Sequence, residues 1–174
     1  MSRELRISPI GPGDLAPTVA MHNRCSAQTL WSRYHRAMGA PQTYLPTLLA
    51  SAGSVHLAAR DTDGRIVAVG HLMPDRSAVE AALLVEDRWQ GRGVGTCLLR
   101  RLGHHVLAGG WETVHGLLIP GETRMTAILR RMPVTLQCVD DGGAITTWAH
   151  ASDVAAGIPA RERLRLRRRR GTLC

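Results

Sequence analysis

The sequence predicts a single α/β domain, and three observations lead there. Apolar spacing switches between helical and alternating periods along the chain, glycine and proline clusters separate the segments, and 174 residues at 44% hydrophobic suffice for one core. The predicted order is strand, helices, three strands, helix, strand, helix, two strands, with residues 1–155 as the domain and 156–174 as an arginine-rich tail.

Each element has a local reason. "RELRISPI" alternates as a short strand, and "GPGD" breaks it and offers Asp14 as a helix N-cap. "LAPTVAMHNRC" and "SAQTLWSRYHRAM" read as two helices joined at Ser26, a second cap, and "PQTYLPTLLAS" as a third. Leu30, Tyr34 and Met38 form a helical stripe expected to face the sheet, with Trp31 in core or groove. "SVHLAAR", a "DTDG" turn and "RIVAVGHLM" form a hairpin, and "AVEAALLVE" adds a strand that runs into a glycine loop. "TCLLRRLGHHVLAGG" places Cys97, Leu98, Leu102, Val106 and Leu107 at amphipathic spacing before terminal glycines. "TVHGLLIP" is a buried strand, "ETRMTAILRRM" a helix, and "VTLQCVDDGGAITTWAH" a hairpin turning at residues 140–143.

Composition excludes whole classes. All 22 basic residues are arginine, so the lysine of a Walker A loop and the Schiff-base lysine of a pyridoxal enzyme are both missing. The four cysteines are far apart without a CxxC pair, which offers neither a zinc knuckle nor a disulfide framework; no metal site is expected. Residues 161–170 carry seven arginines and one glutamate, or +6 of the net +8, leaving a nearly neutral body. Such a tail reads as a solvated end, so nucleic acid is not the expected partner. No apolar run is long enough to span a bilayer and no leader precedes the first strand, so a cytoplasmic location without membrane contact is expected.

The glycine loop carries the chemistry. "RWQGRGVGTCLL" places Gly91, Gly93 and Gly95 between a strand and a helix that begins near Val94. A helix start of this kind offers unpaired N–H groups and a favourable dipole to an anion, and glycine lets the backbone approach it. A Rossmann fingerprint would place its third glycine at Thr96, and this loop follows the fourth strand rather than the first.

"VEAALLVEDRWQGRGVGTCLLRRL" resembles the signature of the GNAT superfamily of N-acetyltransferases, in which an apolar triplet is followed by Q/R-x-x-G-x-G/A. Leu83, Leu84 and Val85 match the triplet, and Gln90, Gly93 and Gly95 fill the motif. The resemblance covers roughly residues 3–150. It implies a mixed, mostly antiparallel sheet of six to seven strands flanked by helices, with one splayed parallel strand pair. It further implies that acetyl-CoA binds as co-substrate. Its pyrophosphate would lie on the amides of Gly91, Arg92, Gly93, Val94, Gly95 and Thr96 beside Gln90, and its pantetheine arm along Leu83, Leu84 and Val85.

Amine acetylation needs a base, because an alkylamine is mostly protonated at neutral pH. Glu80, ten residues before Gln90, stands where bacterial Pat-type protein acetyltransferases carry their catalytic glutamate. Alternation puts it on one face with Ala82 and Leu84, whereas Glu86 and Asp87 read as loop acids that orient arginines. His71 and His115 lie on strands near the expected cleft. Ser26, Thr29, Arg33 and Tyr34 are similar to a Pat-type stretch, S-x-x-[ST]-x-x-x-R-[YF], which favours a protein lysine as acceptor. The alternatives are a small-molecule amine, an acyl-CoA-binding regulatory module without turnover, or a nucleic-acid-associated protein that uses the tail; the chain is expected to be a monomer or homodimer. The chain departs from the family pattern at Glu122, which stands in place of an asparagine and could cap the next helix, and in having no tyrosine beyond Tyr44 to act as acid.

Overall fold

A computed structural model describes residues 5–75, 78–140 and 142–156; the predicted tail at 156–174 lies outside them apart from its first residue. The described strands are β1 (Arg6–Pro9), β2 (Val55–Arg60), β3 (Ile66–Asp75), β4 (Ala78–Val85), β5 (Thr113–Leu118), β6 (Gln137–Asp140) and β7 (Ile145–His150). The helices are α1 (Leu15–His22), α2 (Ala27–Tyr34), α3 (Pro41–Leu49), α4 (Val94–Ala108), α5 (Thr123–Leu129) and α6 (Ala151–Ala156), with short 3-10 turns at Pro12–Asp14 and Asp87–Trp89.

The strands form one seven-stranded sheet in the order β1-β2-β3-β4-β5-β7-β6. Every neighbouring pair is antiparallel except β4 and β5, which run parallel and are paired only at Val79–Val114 and Glu80–His115. Beyond that point the two strands part. On β5 the carbonyl of Gly116 accepts a hydrogen bond from the Thr147 hydroxyl at 3.0 Å. The expected mostly antiparallel sheet with one splayed parallel pair is therefore present.

Alternation on β4 divides the core in two. Val79, Ala81, Leu83 and Val85 face α4 and α6, where Leu98, Leu102, Val106 and Val154 are buried. Leu84 faces the other layer, with Met21, Leu49 and Val69. The buried stripe of α4 runs through Leu98, Leu102 and Val106, so Leu107, expected inside, is 46% exposed. Gly103 lets α6 approach α4: a Cβ there would lie 2.6 Å from the backbone nitrogen of Ala155.

Two of the three expected caps form. Ser26 accepts from the Thr29 amide at 3.2 Å, and Glu122 accepts from the amides of Arg124 and Met125 at 2.6 and 3.4 Å. Asp14 stands at the N-cap of α1 but makes no side-chain cap there. Its carboxylate accepts from the Gly11 amide and pairs with Arg60 at 2.6 Å, the stronger partner for a charge.

Candidate active site

Where β4 and β5 part, a cleft of about 710 Å³ opens across the end of the sheet. Glu80 and Leu83–Val85 from β4, Val114–Leu118 from β5 and Gly93–Thr96 from the start of α4 all line it. The expected base, apolar triplet and glycine loop thus share one cavity. The second layer adds Arg33 and Tyr34, and α5 adds Arg124 and Ile128.

The loop reaches α4 through backbone shapes that only glycine adopts without strain. Gly91 and Gly93 have φ of +69° and +85°, and a Cβ on either would meet nothing within 4 Å, so the space in front of them is open. Gly93 is the N-cap of α4 and supplies no side-chain cap, while Cys97 is the first residue whose amide bonds back to it, at 3.0 Å. The first-turn amides therefore face the cleft beside open space, as a bulky anion requires. Gly95 is tight for another reason: a Cβ there would lie 2.6 Å from the Ile128 side chain.

Two loop side chains have partners of their own. Arg92 is exposed, lies outside the cleft lining and stacks 5.4 Å from the centre of the Trp89 ring. Gln90 lines the cleft, but its side-chain amide donates to the Val85 carbonyl at 2.9 Å and to the Thr29 hydroxyl at 3.1 Å. It ties the end of β4 to α2.

Of Glu86 and Asp87, expected as loop acids that orient arginines, Glu86 does so and Asp87 holds α2 instead. Glu86 is 3% exposed and pairs with Arg24 at 3.0 Å and with Arg88. Asp87 accepts from the Ser26 amide and hydroxyl and from the Thr29 hydroxyl at 2.7–2.8 Å. Burial works against its charge, but those hydrogen bonds outweigh it and hold the carboxyl below its ordinary value. Together with Gln90 they seat α2 against the glycine loop. Arg124 reaches from α5 to the same Thr29 hydroxyl at 3.0 Å, and both residues line the cleft. Nothing in the local sequence of α5 signals that contact, because its partner lies far away in the chain.

The side of the cleft remote from the loop is rich in buried rings. His115, the register neighbour of Glu80, is 8% exposed, lies 4.7 Å from the Trp148 ring and approaches Asp75 at 3.9 Å. His71, expected near the cleft, is fully buried behind it, its Nδ1 2.8 Å from Nδ1 of His56. Burial lowers the pKa of both, His71 well below the ordinary range. His22 Nδ1 donates to the Thr18 carbonyl at 2.8 Å, so Nε2 accepts from the Tyr34 hydroxyl at 2.8 Å. Burial lowers this ring to about 4. Trp31, expected in core or groove, is 47% exposed.

No family model matches the chain. Solved structures of similar shape include GNAT proteins and other N-acetyltransferases. The GNAT domain of Pat from S. lividans superposes with a TM-score of 0.73 at 21% identity, covering 84% of this chain and 90% of that one. A GCN5-related N-acetyltransferase from Kribbella flavida gives 0.67 at 14%, covering 84% and 96%. PaiA N-acetyltransferase from Thermoplasma acidophilum, solved in complex with coenzyme A, gives 0.66 at 10%, covering 84% and 98%. The class that sheet order, splayed strand pair and glycine loop define is the GNAT fold. This chain has that fold. Among the described residues no cluster of side chains could hold a metal ion, and no helix is long and apolar enough to cross a membrane.

Proposed function

We propose that the chain is an acetyl-CoA-dependent N-acetyltransferase acting on a primary amine, a protein lysine favoured, with Glu80 as general base. One observation carries the reading: an uncapped helix start and a carboxylate open into the same cleft between parting parallel strands. When bound, acetyl-CoA supplies an activated acyl thioester. The amides of Gly93–Thr96 would hold its diphosphate, and the unpaired edge of β4 at Leu83–Val85 would take the pantetheine amides as an added strand. The GNAT fold supports the same placement.

Glu80 lies five residues before Val85, about 17 Å along an extended strand at roughly 3.3 Å per residue. That span suits a coenzyme whose phosphates sit at the loop and whose thioester lies deep between β4 and β5. An amine entering opposite would meet the Glu80 carboxylate, which takes its proton and lets the nitrogen lone pair attack. The other cleft carboxylate, Glu122, is occupied in capping α5, which leaves Glu80 as the base. A thiol leaving group, with a pKa near ~8.5, departs without a strong acid.

Purified protein should release free thiol from acetyl-CoA only when an amine is present. Glu80→Gln should lower kcat by about 10²–10⁴-fold while leaving acetyl-CoA binding intact. Unchanged turnover in that variant would remove Glu80 from the role. Binding of acetyl-CoA without thiol release for any amine would instead mark a coenzyme-binding module.

A further inference from the structure

Arg33 sits in the last turn of α2, and the acetyl-transfer reading gives it no task. Arg33 is partly buried, its Nε is shut off from solvent, and it lines the same cleft as Glu80. Nε has no hydrogen-bond partner, and among the described residues no carboxylate lies within ion-pairing distance. The Tyr34 ring lies 4.8 Å from the guanidinium carbon. A contact with an aromatic face leaves the N–H edges for hydrogen bonds.

The neighbours supply no counter-charge at close range. Burial keeps His22 and His71 neutral, and it pushes the Tyr34 and Tyr44 phenols up so that both stay protonated. Glu80 attracts Arg33 without forming an ion pair. Arginine does not shed its proton to escape burial, so a guanidinium with a buried, unpartnered N–H remains costly until an anion meets it. The groups that Arg33 interacts with are Glu80, Tyr34, Tyr44, His22 and His71 rather than residues of the glycine loop, where the coenzyme phosphates would sit.

Building on the acetyl-transfer reading, we propose that Arg33 receives a carboxylate carried by the acceptor near its amine. The acceptor is therefore an acidic amine: a free amino acid, or a lysine flanked by an acidic residue. The carboxylate on Arg33 orients the molecule with its nitrogen toward Glu80.

Matched acceptors test this with acetyl-CoA and the full chain. One arm compares free amino acids with their carboxamides, and the other compares lysine peptides carrying Asp or Asn beside the lysine. The acidic member of at least one pair should show the higher kcat/KM by about tenfold or more, as a charged hydrogen bond supplies, and the arm in which it does identifies the source. Arg33→Gln should erase that preference by raising KM for the acidic acceptor alone, and Arg33→Lys should restore part of it. The melting shift caused by acetyl-CoA should be the same in wild type and both variants. Equal transfer to acids and amides by the wild type overturns the Arg33 proposal and leaves the transferase reading standing. Failure to transfer to any amine overturns both. A variant that does not fold leaves the wild-type comparison decisive.

Discussion

Acidification should destabilise this protein through His22, by an amount the structure sets. The ring is fully buried between the Thr18 carbonyl and the Tyr34 hydroxyl, and its pKa falls from 6.5 to about 4 because burial disfavours the cation, the Arg33 charge adds to the effect and the Thr18 hydrogen bond partly offsets it. The folded state therefore binds a proton less readily than the unfolded chain. By linkage, stability is fully present above pH 6.5 and is lost as pH falls from there to about 4, where the folded ring also protonates. Each pH step across that window removes ~1.4 kcal/mol, so His22 alone accounts for about 3 kcal/mol. His56 and His71 act in the same direction, so the contribution of His22 must be isolated. Asp87 does not interfere, since its contribution is lost only below its ordinary value of 3.8. Urea unfolding of wild type and His22→Gln at several pH values between 4 and 7.5 isolates the term. The variant should be less stable at pH 7.5 and should lose about 3 kcal/mol less on acidification. Parallel curves for the two proteins would refute the reasoning.

The packing sets other expectations. Gly103→Ala should destabilise the domain by roughly 1–3 kcal/mol in denaturant titrations, because the new methyl meets the backbone of α6 rather than a flexible side chain. Arg24→Met leaves the buried Glu86 carboxylate with Arg88 alone and should cost roughly 2–3 kcal/mol, read the same way; no change would show that Arg88 suffices. Thr29→Val removes the hydroxyl shared by Asp87, Gln90 and Arg124, and should raise KM for acetyl-CoA more than it lowers kcat.

Much of the site could be read from the sequence because its parts are local. The strand at Ala78–Val85, the turn with two left-handed glycines and the helix start at Val94 are neighbours in the chain, so spacing pointed to an anion site at the turn and the GNAT resemblance set the strand beside it. Alternation placed Glu80 on one face with Ala82 and Leu84, and the structure sets that face opposite α4. The long-range polar contacts were hidden. Glu86 and Asp87 are adjacent loop acids by sequence, yet one is buried against Arg24 and the other holds Ser26 and Thr29, partners about sixty residues away. Gln90 fits a motif but uses its amide on Val85 and Thr29. Trp31 was misplaced because Thr29 and Leu30 take the buried side of an eight-residue helix, and the next position turns away by about 100°. Helix α6 went unread because six alanine-rich residues give no distinct period, while its close approach to Gly103 is a tertiary fact.

The claim on which the rest depends is that the cleft beside β4 holds acetyl-CoA through the start of α4, and thermal unfolding with and without acetyl-CoA tests it most directly. At a hundredfold excess over Kd, binding to the native state adds about 2.7 kcal/mol, a rise of roughly 5–10 °C in Tm for a domain of this size. Gly93→Asp sets a carboxylate before the same amides at a left-handed position that strains any side chain, so the variant should melt cooperatively at a lower Tm and show no rise with acetyl-CoA. A wild-type Tm unmoved by millimolar acetyl-CoA, or an equal rise in the variant, would contradict it.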